Sequence, residues 1–173
     1  MIVKLFLVLN TNIKLFLKKL FGCKIKYSPL TIVESCVTIK TRGKKSRIYL
    51  GPRAFVRKNT ELSANGGILK LGNKSFVNRN CIINAHENIT IGDGTTIGPG
   101  VYIYDHDHDG KGGYVTKPIT IGKNVWIGAG CIILKGVTIK DNAVIGAGTL
   151  VSFDCESDSL VYQARNTVVK LKE

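Results

Sequence analysis

The chain has 173 residues, room for one domain, and its 44% apolar content excludes a disordered or collagen-like protein. Five Cys without a CxxC pair exclude a complete disulfide framework and a zinc ribbon, which makes a reducing cytosol the simplest setting. The 25 Lys and Arg against 12 Asp and Glu give a formal charge of +13, suited to a nucleic acid, an anionic membrane surface or a phosphorylated cofactor, and charge alone does not choose among them.

Residues 1–29 form a basic, apolar amino-terminal segment. Residues 2–21 read IVKLFLVLNTNIKLFLKKLF, an apolar run broken by Lys4, Asn10, Asn12, Lys14, Lys18 and Lys19. It is too interrupted to span a bilayer and lacks the cleavage pattern of a signal peptide. Two readings stand: an amphipathic helix packed on the body of the protein or a neighbouring subunit, which is preferred, or a basic interfacial helix on anionic lipid. Lys24, Lys26, Arg42, Lys44, Lys45 and Arg47 extend the positive charge past it.

Residues 30–155 are organised by a repeat. From residue 91 the sequence falls into the six-residue frames IGDGTT, IGPGVY, then IGKNVW, IGAGCI, ILKGVT, IKDNAV, IGAGTL and VSFDCE. Ile103 keeps the same register, so residues 104–118 form a loop leaving a coil that resumes in phase. Weaker frames begin at Leu50, Val56, Leu62, Leu71, Val77 and Ile83. An aliphatic residue every six is not a helical stripe, which needs spacings of three and four, but it fits short strands wound into a parallel β-helix.

The fifth position of each frame is mostly small, including Ala54, Thr60, Gly66, Ser75, Cys81, Cys131 and Cys155, as a narrow prism requires. Cys36 takes this slot in a fragment beginning at Ile32. These cysteines are therefore structural. Gly94, Gly100, Gly130, Gly136 and Gly148, with Asn124 and Asn142, occupy the fourth position, where a corner needs φ > 0. No frame supplies a full dinucleotide fingerprint, which rejects a Rossmann reading. Residues 156–173 are a carboxy-terminal tail.

The loop YDHDHDGKGGYVTKP carries His106 and His108 beside Asp105, Asp107 and Asp109. A neutral His near a hydroxyl can take its proton as the oxygen attacks, and neighbouring carboxylates orient the ring. In an extended loop, His106 and His108 point the same way. The rival is an adventitious divalent ion on HDHD.

The run ITIGKNVWIGAGCIILKGVTIKDNAVIGAG closely resembles the hexapeptide-repeat acyltransferases of the left-handed β-helix class, most of all the branch with maltose, galactoside and virginiamycin acetyltransferases and surface-polysaccharide O-acetyltransferases. The likeness is specific over about residues 68–153, weaker over 48–67 and absent before 30. It implies an all-β, left-handed parallel β-helix, a homotrimer with sites between prisms, acetyl-CoA as donor and no required metal.

By the resemblance the base lies five residues after the last aliphatic of the coil, at His108, with His106 the alternative two residues earlier. Asn78, in SFVNRN, matches an Asn placed near the developing oxyanion; a corner Asn satisfying backbone groups is the other reading. Asn84, His86, Asp105 and His106 are assigned to the acceptor, with His86 standing where relatives often carry an acid. Trp126, Gly128, Ala129, Gly146, Ala147, Ser152, Arg165 and Lys170 are assigned to the donor, although Ser152 and the stretch QARNTVVK depart from the family pattern.

These residues point to an acetyl-CoA-dependent O-acetyltransferase with a carbohydrate acceptor, placed in the cytoplasm and peripheral at the inner face of the membrane. An N-acetyltransferase on an amino sugar and a non-catalytic β-helix scaffold are the alternatives. Nucleic acid is rejected as a partner because few aromatics interleave the basic runs.

Overall fold

The computed structural model describes residues 2–164, with side chains described from Leu5 onward. After a helix at Ile2–Leu20, strands of two to five residues wind into a three-faced parallel coil. Face A stacks Ile25–Tyr27, Arg47–Leu50, Ile68–Leu71, Asn88–Ile91, Ile119–Ile121 and Thr138–Ile139. Face B stacks Ile32–Val33, Phe55–Val56, Phe76–Val77, Thr96–Ile97, Trp126–Ile127, Val144–Ile145 and Leu160–Val161. Face C stacks Thr38–Arg42, Glu61–Asn65, Ile82–Ala85, Tyr102–Tyr104, Ile132–Ile133 and Leu150–Val151. This is the expected all-β solenoid, consistent with the left-handed coil that the resemblance implies. The coil takes in Ile25–Tyr27 and Leu160–Val161, beyond the span 30–155 at both ends.

The frame positions explain the winding. Ile91, Ile97, Ile103, Ile121, Ile127, Ile133, Ile139 and Ile145 are at most 1% exposed and fill the axis of the prism. The small fifth residues, including Cys81 and Cys131, lie buried beside them; Cys155 is buried too, but in register with Ile139 and not in the fifth slot that the spacing predicts, because the last corner is two residues shorter. Burial pushes all three thiols up, in keeping with packing and not nucleophilic chemistry. At the corners Gly94, Gly100, Gly130 and Gly148 have φ of 67–69°, and Asn124 and Asn142 adopt the same left-handed conformation.

Between Ile121 and Val151 a coil takes 18 residues, as the pairs Ile121–Ile139 and Ile127–Ile145 show, whereas the last coil is shorter, pairing Ile139 with Cys155 and Ile145 with Val161. Earlier coils are longer: Leu71 pairs with Ile91 and Val56 with Val77. The surplus falls at edge C/A, where face C strands lengthen to Thr38–Arg42 and Glu61–Asn65. Two frame assignments are corrected here. Val33 and Val37 point inward, whereas Cys36 is exposed with φ of 56°, so the first frame starts one residue later than the spacing suggests. Gly66 is an exposed turn with φ of 90°, and Ser63 and Ala64 fill the interior in its place.

The helix lies across the open end of the first coil. Unpaired backbone groups of an end coil need partners, and the polar face of the helix supplies them. Thr11 Oγ1 accepts from Val33 N at 2.9 Å and donates to Val33 O at 3.3 Å. Lys14 Nζ donates to Glu34 O, Asn12 Nδ2 to Pro29 O and Lys18 Nζ to Ile39 O. Leu15 is buried beneath it. Burial, with the nearby charge of Lys18, lowers the Lys14 pKa. The preferred packing of this segment is thus present. No helix among the described residues is long and apolar enough to cross a membrane.

Candidate active site

The loop after Tyr102–Tyr104 leaves edge C/A as an antiparallel hairpin, His106–His108 paired with Tyr114–Thr116. Strand geometry puts His106 and His108 on one side of it, as expected, and both rings meet Tyr114, at 5.3 and 4.9 Å between centroids. Asp109 accepts the backbone N–H groups of Lys111 and Gly113, each at 2.8 Å, which closes the turn and lowers its pKa. Asp107 is paired with Lys135.

Asp105 anchors the hairpin. Its carboxylate is fully buried and accepts from His86 N at 2.7 Å and Glu87 N at 2.8 Å, while Oδ1 lies 3.3 Å from His106 Nδ1. An acid assigned to the acceptor is therefore engaged with the protein itself: it ties the 86–87 turn of one coil to the start of the hairpin in the next. The His86 and His106 rings stack at 3.7 Å, and the Tyr114 ring stands edge-on to His86 at 4.4 Å. Burial first, and then the charge of His106, lowers the His86 pKa below its ordinary 6.5, so His86 is neutral at pH 7.

These groups border a cleft of about 600 Å³ lined by Arg42, Asn65, Asn84, His86, His106, His108 and Tyr114, together with Gly43. Arg42 pairs in register with Asn65, and the registers of the next two coils continue this row to His86 and His106. Asn65 Nδ2 donates to Asn84 Oδ1 at 3.1 Å. Of the residues assigned to acceptor and base, Asn84, His86, His106 and His108 thus line one cleft, and Asp105 lies behind it. Arg42 and Asn65 reach the cleft through coils of unequal length, which no fixed period reveals, and Tyr114 through the antiparallel pairing of the hairpin.

Asn78 and most of the residues assigned to the donor gather elsewhere. Asn78, Gly98, Gly128 and Gly146 follow successive face B strands and stack along edge B/C, with Ala129 and Ala147 beside them. Asn78 Oδ1 accepts from Arg79 N at 2.9 Å, a corner function that leaves its amide N–H groups without a partner among the described residues. Trp126 projects from face B next to this edge, 60% exposed. The glycines have a structural cause of their own: a Cβ at Gly128 would sit 2.5 Å from Ala147 N, and one at Gly98 2.7 Å from Ala129 N. The same smallness leaves the edge a bare backbone track, flanked by Trp126. Ser152 lies exposed on edge C/A, away from this row, and Arg165 and Lys170 lie outside the described residues. Among the described residues no group of three or more His, Cys, Asp and Glu is arranged to hold a metal ion.

Comparison with known proteins fits this architecture: the family described as bacterial transferase hexapeptide (six repeats) matches residues 118–152. The match is to the repeat and covers those residues alone. Nodulation protein L of Rhizobium meliloti (strain 1021) is 44% identical over 89 residues, which is 48% of this chain and 48% of that protein. A galactoside acetyltransferase solved in complex with coenzyme A is 37% identical, covering 55% of this chain and 50% of its own, with a TM-score of 0.54. A maltose O-acetyltransferase from Clostridium difficile 630 is 27% identical, covering 83% and 72%, with a TM-score of 0.53. The chain spans about half the length, or less, of the curated relatives it matches. The two solved structures are named as acetyltransferases, and the chain shares their fold over the parts covered.

Proposed function

We propose that the protein is an acetyl-CoA-dependent O-acetyltransferase acting on a sugar or a lipid-linked or surface polysaccharide. The observation that carries the reading is the hairpin at edge C/A, which holds His106 and His108 over a polar cleft in a hexapeptide coil. The donor is argued from the bare edge B/C beside Trp126 and from the coenzyme A named for the galactoside acetyltransferase.

His108 is the proposed general base. Its ring is exposed at the mouth of the cleft, whereas His106 has Nδ1 directed at Asp105 and its face covered by His86. His108 takes the proton of an acceptor hydroxyl as the oxygen attacks the thioester carbonyl; the tetrahedral oxyanion accepts from the Asn78 amide, the C–S bond breaks, and the proton passes to the leaving thiolate. The charge balance closes without a covalent enzyme intermediate. A second reading makes His106 the base, with Asp105 orienting it through Nδ1.

Asn78 and Trp126 lie on edge B/C and the histidines on edge C/A, so the two half-sites meet between neighbouring copies. A homotrimer supplies such contacts. Tyr102, Ile132 and Leu150, register partners on face C between the two edges, form an exposed apolar row suited to this interface. Cytoplasmic placement, with peripheral contact at the inner face of the membrane, belongs to the same reading.

The test is thiol release from acetyl-CoA with sugars, nucleotide sugars and lipid-linked glycans, using wild type, His108→Ala and His106→Ala. Loss of about 10²–10⁴-fold in turnover in folded His108→Ala, with a smaller loss in His106→Ala, is expected. Unchanged turnover in His108→Ala refutes the assigned base, and failure of the wild type to bind CoA moves the scaffold reading ahead.

A further inference from the structure

The amino-terminal helix turns its apolar face away from the protein. At about 100° per residue, Phe6, Leu9, Ile13, Phe16, Leu17 and Leu20 fill one uninterrupted arc of about 100°. All six are 45–68% exposed, and Phe21 at the end of the helix is 85% exposed. The opposite face, with Thr11, Asn12, Lys14 and Lys18, is the one that hydrogen-bonds to the first coil. Burial of apolar area on folding therefore does not explain the arc, because folding leaves it in water.

Charge is concentrated at the same end. Residues 1–58, which comprise the helix, the first coil and most of the second, contain 14 Lys and Arg and one acidic residue, Glu34; the remaining 115 contain 11 basic and 11 acidic residues. The formal +13 thus belongs entirely to one end of the prism. Lys19, Lys24, Lys26 and Arg47 border a cavity beside the end of the helix and the first two coils, and Lys44 and Lys45 lie exposed on the adjoining turn, where Lys24 Nζ donates to Lys44 O.

We propose that this end binds the surface of an anionic phospholipid bilayer. The helix lies in the interfacial plane with the arc from Phe6 to Leu20 among the acyl chains, and the surrounding lysines and arginines meet the headgroups. Charge complementarity selects lipid over a second copy of the chain, because docking two of these ends would oppose two like-charged surfaces. The cleft is oriented by the same contact. Arg42 stands at its bilayer end, and His106 lies three coils further along the prism, about 14 Å at the ordinary strand spacing. This deepens the membrane contact within the proposed function and does not depend on acyl transfer, so its test uses no donor or acceptor.

Full-length protein is sedimented with vesicles of phosphatidylcholine alone or with about a third phosphatidylglycerol. The wild type is expected to sediment with the anionic vesicles, less so as salt rises, and weakly with phosphatidylcholine. Leu9→Glu combined with Phe16→Glu should weaken that binding at least about tenfold with native mass by light scattering and circular dichroism unchanged. Lys44→Glu with Lys45→Glu, which leaves the helix untouched, should weaken it as well. Absence of wild-type sedimentation with anionic vesicles overturns the proposal. So does binding indifferent to both variants, or a fall in native mass in Leu9→Glu/Phe16→Glu, which would assign the arc to contact between copies.

Discussion

Replacing Asp105 with Ala tests whether one buried carboxylate holds the candidate site together. The side chain accepts two backbone hydrogen bonds, from His86 N at 2.7 Å and Glu87 N at 2.8 Å, and none of its surface is exposed. Hydrogen bonds to a charged group are worth about 1.5–3 kcal/mol each, so losing both should destabilise the fold by about 3–5 kcal/mol once some water enters the gap. For a domain of this size that is a fall in melting temperature of about 10 °C. Asp105→Asn keeps one acceptor oxygen but turns an NH₂ toward a backbone N–H, and should cost about 2–3 kcal/mol. Thermal unfolding followed by circular dichroism ranks wild type above Asn above Ala. An Ala variant that melts within about 2 °C of wild type would refute the claim that this carboxylate closes the 86–87 turn.

Two further expectations rest on local geometry. His86 has a depressed folded pKa, so the unfolded chain binds its proton more readily; stability should be full above about pH 6.5 and fall as the pH drops below that value, and His86→Gln should flatten the profile. Parallel wild-type and His86→Gln melting curves between pH 7.5 and 5 would contradict it. Gly128→Ala should destabilise more than Gly100→Ala in the same melting assay: the first drives a Cβ to 2.5 Å from Ala147 N, whereas the second meets nothing within 4 Å and bears only the roughly 1–2 kcal/mol of a left-handed φ. Equal losses would mean that coil stacking does not fix the glycine.

Where the coil repeats every 18 residues, the inward set from Ile121 to Val151 is readable from spacing alone, because each six-residue frame turns one aliphatic and one small side chain into a narrow prism. The first coils are longer, and there the period misleads: Cys36 and Gly66 occupy the expected slot in number but stand in exposed turns. The cleft is hidden for the same reason. Arg42, Asn65, His86 and His106 are separated by 23, 21 and 20 residues, and no fixed period links them. His106 and His108 were visible because a loop that interrupts a strict repeat needs a cause. The function of Asp105 was not, since a carboxylate that caps backbone N–H groups and one that faces a ligand look alike in a DHDH string.

The separation of the two proposed half-sites leads to a sharper test than any single substitution. His108 is carried by the hairpin at edge C/A, whereas Asn78 and Trp126 belong to edge B/C, and face C with its apolar row of Tyr102, Ile132 and Leu150 lies between them. If each site takes its base from one copy and its donor track from the next, His108→Ala and Trp126→Ala are defective in different halves of the same site. Unfolded together and reassembled in equal amounts, they should form mixed trimers in which about a quarter of the sites draw an intact half from each parent. Turnover should therefore rise from near zero in either parent to about a quarter of wild type. A site built within one chain offers no such route, because every chain in the mixture would still carry a defect in its own site, and activity that stays at the parental level would place donor and base on a single copy.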